Sequence, residues 1–243
     1  MFKLIMDTVD MQDSEIYKSG KYGDLITDGS GYKIEGVGKE PDVTGAIKTA
    51  YQIADTLLLQ YYEEPDAVKA AFGHELTEAD WAAIGAYMTK CLELKTVALN
   101  ITRPLIQELE KELKNDRHQF TFFCAHDCTV LGTLSALGAK LDALPESIEQ
   151  KTPIGVKLMF ERLVDQEGQA WYRASMVYRS TEQIRSGEML TPENPPMKYV
   201  LSFENVKATD EGLISEADFF ALFNRTIEAS DELEESYALP EAA

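Results

Sequence analysis

The sequence predicts an α/β fold in which a helical cap accompanies a mixed core, and three observations predict it. Apolar residues between 43 and 114 repeat at the three-to-four spacing of amphipathic helices. A short apolar run at 119–125 leads directly into a polar pair and a helical pattern, which is typical of a strand that ends at an active site. Further strand patterns follow residue 155. The chain therefore divides into an irregular segment (1–42), a helical cap domain (43–114) and an α/β part (115–243).

The cap helices are predicted from the residues that begin and end them. Asp42 or Thr44 can cap the first long helix, and Pro65 follows it. Thr77 with Asp80 resembles a capping box and opens a second long helix. Pro104 is expected to break or restart the helical pattern before a final helix that reaches about residue 114.

The α/β part begins with the run 119–125, which is apolar and rich in phenylalanine. Such a run between polar residues is typical of a buried strand, and the cysteine within it, Cys124, is then expected to be buried. The pair His126-Asp127 follows, and Thr129 to Leu137 forms a helical pattern that Gly138 can terminate.

The remaining core is predicted from alternating patterns and turn residues. The segments 155–164 and 170–179 indicate two strands, and the Asp-Gln-Glu-Gly sequence between them indicates a hairpin. The segment 197–203 indicates a third strand. Ser215 with Asp218 is expected to cap the last helix.

The composition excludes two classes of partner. The chain carries 42 acidic and 23 basic residues, a formal net charge of −19, which opposes binding to nucleic acid and to anionic lipid. No apolar run is long enough to span a bilayer, and no secretion signal is visible at the N-terminus. A negative protein can still bind a phosphate ester if its pocket is locally positive.

The pair His126-Asp127 has a definite chemical use at the end of a strand. A histidine can donate a hydrogen bond to a phosphoryl oxygen, and an aspartic acid can protonate the oxygen of a leaving alcohol. Because a His-Asp dipeptide is also common in purely structural positions, the pair alone does not establish an active site.

The sequence around the pair resembles the second signature of the histidine acid phosphatases. The stretch 123–138 reads FCAHDCTVLGTLSALG: an apolar run, a small residue, His-Asp, and a helix with an Ala-Leu pair. The resemblance continues through Thr152-Pro153-Ile154-Gly155, the Phe-Glu strand at 160–161 and the segment 177–185. Upstream, residues 44–46 and 57–60 are similar to the cap of the branch that contains bacterial phytases and glucose-1-phosphatases.

The resemblance implies a phosphoglycerate-mutase-like α/β core with a helical cap, and an acid phosphatase that acts through phosphohistidine. It implies that Asp127 is the proton donor and that His126 binds the phosphate. Cys128 occupies a position that is usually Ser or Thr, and it is assigned with Arg103 to the substrate pocket. The implied substrate is a small phosphate ester of a sugar or an inositol, without metal or other cofactor. The oligomeric state stays open, and the implied location is periplasmic or extracellular.

Two departures from the family pattern limit what this chain can do alone. The family's first signature, Arg-His-Gly-x-Arg-x-Pro, carries the nucleophilic histidine, and none of His74, His118 and His126 stands in such a motif. The second departure concerns the arginine pair that precedes a Pro-Leu-Leu sequence in the phytase branch. This chain has Leu99 and Ile101 there, with Arg103 displaced from the pattern. The core is therefore expected to be incomplete, and the recognition of a highly phosphorylated inositol is in doubt.

Two other functional interpretations stay open. A metal-dependent phosphohydrolase of the HD type would use His74, His126-Asp127 and a later aspartate as ligands, but its His-Asp pair lies in a helical bundle. The second alternative is a non-catalytic module that has lost the nucleophile and keeps a pocket for phosphate or a sugar phosphate, or an interaction surface.

The missing half of the active site also predicts a structural defect. The run 119–125 should lack a strand partner, so His126 and Asp127 should lie at an open rim. An apolar patch beside them should then need a cover, either a second copy of the chain or the segment 1–41.

Overall fold

A computed structural model describes residues 1–21, 30–33, 39, 42–93 and 95–237 of the chain. Its first half contains the helices α1 (Phe2–Thr8), α2 (Glu15–Lys18), α3 (Ala46–Glu63), α4 (Ala67–Ala70), α5 (Glu78–Leu92) and α6 (Lys95–Leu113). Two short strands, β1 (Gly31–Lys33) and β2 (Asp42–Thr44), form an antiparallel pair in the same half.

The second half contains a four-stranded antiparallel sheet and its flanking helices. The elements are α7 (Asp127–Ala136), β3 (Lys157–Val164), β4 (Ala170–Tyr178), α8 (Thr181–Arg185), β5 (Met197–Val200), β6 (Ile214–Ser215) and α9 (Glu216–Tyr237). In the sheet, β4 pairs with β3 on one side and with β5 and β6 on the other. The predicted hairpin is confirmed, because Lys157 pairs with Val177 and Val164 with Ala170.

The cap helices pack around one apolar cluster. It joins α1, α3 and α5, and its fully buried members include Leu57, Trp81 and Ile84. The capping box at Thr77 and Asp80 is confirmed, with the Asp80 amide donating to Thr77 Oγ1 over 3.2 Å. Ile148, from the second half of the chain, packs into the same cluster and so contributes to the contact between the cap and the C-terminal half.

The N-terminal segment differs from the expectation of an irregular 1–42. Residues 2–8 form α1, whose Ile5 is completely buried against the cap cluster. The short length of α1 hides its periodicity in the sequence, and packing against α3 and α5 stabilises it. Residues 1–41 were one expected cover for the apolar patch beside His126 and Asp127. Part of this segment lies outside the described residues, and its helix α1 packs on the cap helices α3 and α5.

Helix α6 also differs from the expectation, since it runs through Pro104 without a break. A proline inside a helix costs about 3 kcal/mol, because it removes a backbone hydrogen bond and crowds the preceding turn. Packing offsets this cost: Leu99 and Ile106 of α6 are buried, and the helix lies against α7 and α9. Although its sequence falls within 43–114, α6 therefore packs with the C-terminal elements.

The run 119–125 is not a strand, which corrects the sequence prediction. Residues 119–126 have no regular secondary structure, and the side chains of Phe120 and Phe122 are 84% and 67% exposed. Cys124 is exposed as well, contrary to the expected buried thiol. A strand forms only with a hydrogen-bonding neighbour, and no described residue pairs with this segment. The expected apolar surface is thus present, but it belongs to an unpaired loop, and an incomplete sheet stays a prediction.

The core of the second half explains the position of α7. Leu134 and Leu137 pack with strand β4 and with Phe219 and Phe223 of α9. Gly138, with φ +69°, ends the helix as predicted. None of the helices in the described ranges is both long and apolar enough to cross a membrane.

Candidate functional site

The pair His126-Asp127 lies where the unpaired loop meets α7. His126 is the N-cap residue with extended backbone angles, and its carbonyl accepts hydrogen bonds from Thr129 and Val130 over 3.1 Å each. Asp127 is the first residue of the helix. Both side chains are exposed, at the helix end where backbone N–H groups and the helix dipole favour negative charge.

The structure brings the predicted residues together only in part. Cys128 follows in the first turn of α7 and is half-buried, with its Sγ 3.9 Å from the hydroxyl oxygen of Thr129. Arg103 lies in the middle of α6, and its Nε donates to Asp231 of α9 over 2.7 Å. None of the contacts in the described parts of the chain joins Arg103 to His126 or Asp127.

The other two histidines lie away from this site. The His74 imidazole is 3.2 Å from the Asp10 carboxylate, and the His118 imidazole bonds to Glu112. Neither histidine lines a cavity with Asp127. In the described ranges, no group of three His, Cys, Asp or Glu side chains has a geometry that could hold a metal ion.

A small cavity extends from Asp127 towards the cap. Its volume is about 10 Å³, and the residues that line it come from α5, α7 and the loop before β3: Gly85, Met88, Thr89, Asp127, Leu131, Glu149 and Thr152. Glu149 was not foreseen from the sequence, because it has no motif of its own. It lies three residues before the Thr152-Pro153-Ile154-Gly155 segment, which was the one available signal.

Two further carboxyl groups lie close to Asp127. Burial raises the pKa of Asp55 in α3, and the negative charge of Asp127 adds to the effect. Burial likewise raises the pKa of Glu149 to about 6, with smaller contributions from Asp127 and Asp55. The described half of the site is thus negatively charged, apart from His126 and the end of α7.

Hydrogen bonds fix the Glu149 carboxylate. Its Oε2 accepts from the Tyr62 hydroxyl over 2.5 Å and from the Ile154 amide over 3.0 Å. Burial raises the pKa of Tyr62, and the neighbouring Glu149 carboxylate raises it further, so the phenol keeps its proton and acts as a donor. Glu149 therefore connects α3 of the cap with the loop that leads into β3.

Comparison with known proteins supports the resemblance. No protein-family model matches the chain. The chain is 29% identical over 233 residues to a glucose-1-phosphatase from Providencia rettgeri, with 92% of this chain and 55% of that protein covered. It is also 29% identical to a glucose-1-phosphatase from Salmonella typhimurium, with 87% of this chain and 52% of that protein covered. The chain thus spans about half the length of the curated relatives it matches.

A solved structure extends the comparison to the fold. The chain superposes on the phytase from Hafnia alvei, solved in complex with myo-inositol hexakis sulphate, with a TM-score of 0.77 and 22% sequence identity. The match covers 94% of this chain and 59% of that chain. The resemblance to the histidine acid phosphatases is thereby confirmed: the chain is homologous to glucose-1-phosphatases and has the histidine phosphatase fold of a bacterial phytase.

Proposed function

From this homology to glucose-1-phosphatases, we propose that the chain is part of a phosphomonoester hydrolase that acts through a phosphohistidine. The observation that carries the proposal is the position of His126 and Asp127, side by side and exposed at the start of α7. In the proposed reaction, His126 donates a hydrogen bond to a phosphoryl oxygen, and Asp127 gives its proton to the oxygen of the leaving alcohol.

The proposed chemistry needs positive charge, and the described residues that line the cavity beside Asp127 include no lysine or arginine. Asp127 and Glu149 line the cavity, Asp55 adds negative charge near Glu149, and the nearby Lys151 bonds to Glu93. A phosphate dianion would be bound only weakly by such a site without compensating arginines. The arginines and the nucleophile of the family's first signature would provide this compensation, and no such motif occurs in this sequence.

The proposed substrate is a small phosphate ester, either of a sugar or of an inositol. The relatives include glucose-1-phosphatases and a phytase crystallised with an inositol hexasulphate. Leu99 and Ile101 stand where the phytase branch has two arginines, which favours a substrate with fewer phosphate groups. Export to the periplasm or the medium, which the resemblance implies, is part of the same proposal.

The first test is hydrolysis of p-nitrophenyl phosphate at acidic pH by the purified chain, beside the Providencia rettgeri relative. We expect the chain to be slower by roughly a millionfold, because loss of a nucleophile removes the covalent route. Turnover near that of the relative would contradict the assignment of a missing nucleophile.

The second test separates a phosphatase half-site from a surface without function. Inorganic phosphate is titrated with the chain and followed by ³¹P NMR line broadening, with the variants His126→Ala and His118→Ala. His118 is the matched control, since it is also exposed but bonds to Glu112. We expect weak binding that His126→Ala abolishes and His118→Ala retains. Equal binding by both variants would remove His126 from the phosphate site.

A non-catalytic phosphate-binding module is the alternative function. The exposure of His126 and Asp127, without a facing histidine among the described residues, is the observation that favours it. The reading frame upstream of Met1 distinguishes the two: an Arg-His-Gly motif there supports the enzyme, and its absence from the complete gene supports the module.

A further inference from the structure

The loop at 119–125 presents its side chains and its backbone to solvent. Every residue from 116 to 127 is exposed, and no described residue forms a strand pair with this segment. We propose that a second copy of this chain pairs with the loop as an antiparallel strand about a twofold axis at Phe122. In this register, Arg117 of one copy lies opposite Asp127 of the other.

The composition of the loop favours pairing with an identical segment. Residues 119–125 read QFTFFCA, a run without charge, glycine or proline in which three residues are phenylalanine. Short uncharged segments of high β-propensity pair with copies of themselves when their backbone groups are unpaired. Because the net charge of −19 lies entirely outside this run, two copies repel each other less here than at the acidic parts of their surfaces.

The charges that flank the loop select the antiparallel orientation. Arg117 precedes the run and Asp127 follows it, at equal distances in sequence from Phe122. An antiparallel pair centred on Phe122 therefore brings each arginine opposite the aspartate of the other copy, at both ends of the pair. A parallel pair in register would bring identical charges together, and like charges directly opposite each other destabilise a sheet.

Both charged side chains are available for this contact. Arg117 and Asp127 are exposed, and neither forms an ion pair with another described residue. The neighbouring Asp116 is engaged within the chain, since its Oδ1 lies 3.8 Å from Nη1 of Arg162 in β3. A twofold dimer uses the same patch on both copies, so one complementary pair of charges is used twice.

The size of the loop indicates a weak dimer. A phenylalanine side chain offers roughly 150–250 Å² of surface, so the exposed parts of Phe120, Phe122 and Phe123 amount to on the order of 400 Å² in each copy. Two copies would bury on the order of 800 Å² of aromatic surface, below the roughly 1,200 Å² at which stable interfaces begin. We therefore expect an equilibrium between monomer and dimer that depends on concentration.

The pairing also changes the charge of the candidate site. The described residues that line the cavity beside Asp127 include no lysine or arginine. In the proposed dimer, the guanidinium of Arg117 from the other copy lies beside His126 and Asp127, so each copy contributes a cation to the site of its partner. This consequence rests on the function proposed above, whereas the interface does not.

The experiment is sedimentation velocity at several concentrations, with the charges at the ends of the pair reversed. Arg117→Glu makes the chain more negative and Asp127→Arg makes it less negative. General repulsion between acidic chains therefore predicts weaker association for the first variant and stronger association for the second. The proposed register predicts that both variants weaken association by roughly tenfold or more, because each places like charges at both ends of the pair.

A mixture of the two variants supplies a second measurement. In the mixed dimer, each end again joins opposite charges, so the mixture should associate about as strongly as the wild-type chain. Lys111→Glu is the matched control: it makes the same change of charge as Arg117→Glu at an exposed side chain of α6 that pairs with Glu108. This control should leave association nearly unchanged, because residue 111 lies outside the loop.

A disulfide cross-link tests the register separately. In the proposed pair, residue 120 of one copy faces Cys124 of the other, and opposite Cα atoms lie about 4.5–5.5 Å apart, which suits a disulfide. Phe120→Cys should thus give a covalent dimer on oxidation with copper phenanthroline. Gln119→Cys, whose side chain points to the other face, should not. Phe122→Cys in a Cys124→Ser chain meets its own copy across the twofold axis, and it serves as the second variant if loss of Phe120 weakens the dimer.

The outcomes separate this inference from the proposed function. A chain that stays monomeric at every concentration overturns the interface, and the cover of the loop must then come from a different protein segment. Opposite effects of the two charge reversals, or a mixture that does not recover association, overturn the register. A chain that dimerises as proposed but fails the phosphate-binding test keeps the interface and loses the phosphatase assignment. Full phosphate binding by a monomeric Arg117→Glu chain refutes the contribution of Arg117 to the site and keeps the assignment.

Discussion

Gly85 of α5 packs against the backbone of the loop that carries Glu149, so Gly85→Ala tests how the cap and this loop fit together. A β-carbon at residue 85 would lie 2.4 Å from the carbonyl oxygen of Ile148 and 3.2 Å from Cα of Glu149. Ordinary contacts begin at 3.4 Å, so helix α5 and the loop must separate by about 1 Å. Since the contacted atoms belong to the backbone, no side-chain rotation can relieve the clash.

Two opposing energies decide the outcome for Gly85→Ala. Overpacking of this kind costs about 1–3 kcal/mol, whereas alanine in a helix is favoured over glycine by about 1 kcal/mol. We expect the clash to prevail and the free energy of unfolding to fall by up to about 2 kcal/mol. The measurement is urea unfolding followed by circular dichroism, with the slope m compared between the proteins.

Ala79→Gly provides the matched control in the same helix. Ala79 is exposed near the start of α5, so its replacement measures the helix preference without a packing change. If preference alone governed residue 85, Gly85→Ala would stabilise the chain by about as much as Ala79→Gly destabilises it. A stabilised Gly85→Ala variant would therefore refute the close approach of α5 and Ile148.

Two further perturbations test the buried carboxyl and the unpaired loop. Because the pKa of Glu149 is raised from 4.5 to about 6 in the folded chain, the stability linked to its proton is present below pH 4.5 and lost as the pH rises through 6. Between pH 4.5 and 7.5, the free energy of unfolding of the wild-type chain should fall by roughly 2 kcal/mol more than that of the Glu149→Gln variant. If urea unfolding gives the two proteins parallel pH profiles, this prediction is wrong. Phe122→Asp should reduce self-association in sedimentation velocity more than Ile16→Asp, although both residues are exposed, at 67% and 56%. If the two substitutions reduced self-association equally, the loop at 119–125 would have no special part in it.

Local signals in the sequence were sufficient for the elements that are stabilised locally. The capping box at Thr77 and Asp80, the helix stop at Gly138 and the hairpin turn at 165–168 each depend on residues within a few positions of one another. Their geometry is fixed by backbone hydrogen bonds and by permitted φ values, so the same signal serves in any fold. These elements were predicted correctly for that reason.

The errors arose where a distant neighbour decides the structure. The run 119–125 has the composition of a buried strand, but composition does not provide the neighbouring strand that such a segment needs. Helix α6 continues through Pro104 because α7 and α9 cover it, and neither helix is adjacent in sequence. Contacts of this kind outweigh local preference and cannot be inferred from a single stretch of chain.

In the candidate site, too, the residues placed by local sequence were predicted, and those placed by distant packing were not. His126 and Asp127 were recognisable because they are adjacent and followed by a helix, so their relative position is set locally. Glu149 and Asp55 reach the site through the packing of the loop and α3 against α5 and α7. The role of Arg103 as a substrate ligand stays a prediction, and in the structure its guanidinium pairs with Asp231.

The exposed rim is itself informative about the chemistry. Phosphoryl transfer requires an attacking group and a leaving group roughly in line, on opposite sides of phosphorus. Under the proposed function, His126 and Asp127 serve the leaving side, because they offer a hydrogen-bond donor to the phosphoryl oxygens and a proton donor to the alcohol oxygen. Phe120 and Phe122, in the loop that leads to His126, are exposed to solvent. Under the proposed function, a segment that paired with the loop at 119–125 would cover those phenylalanines, which would account for the exposed apolar surface beside Asp127.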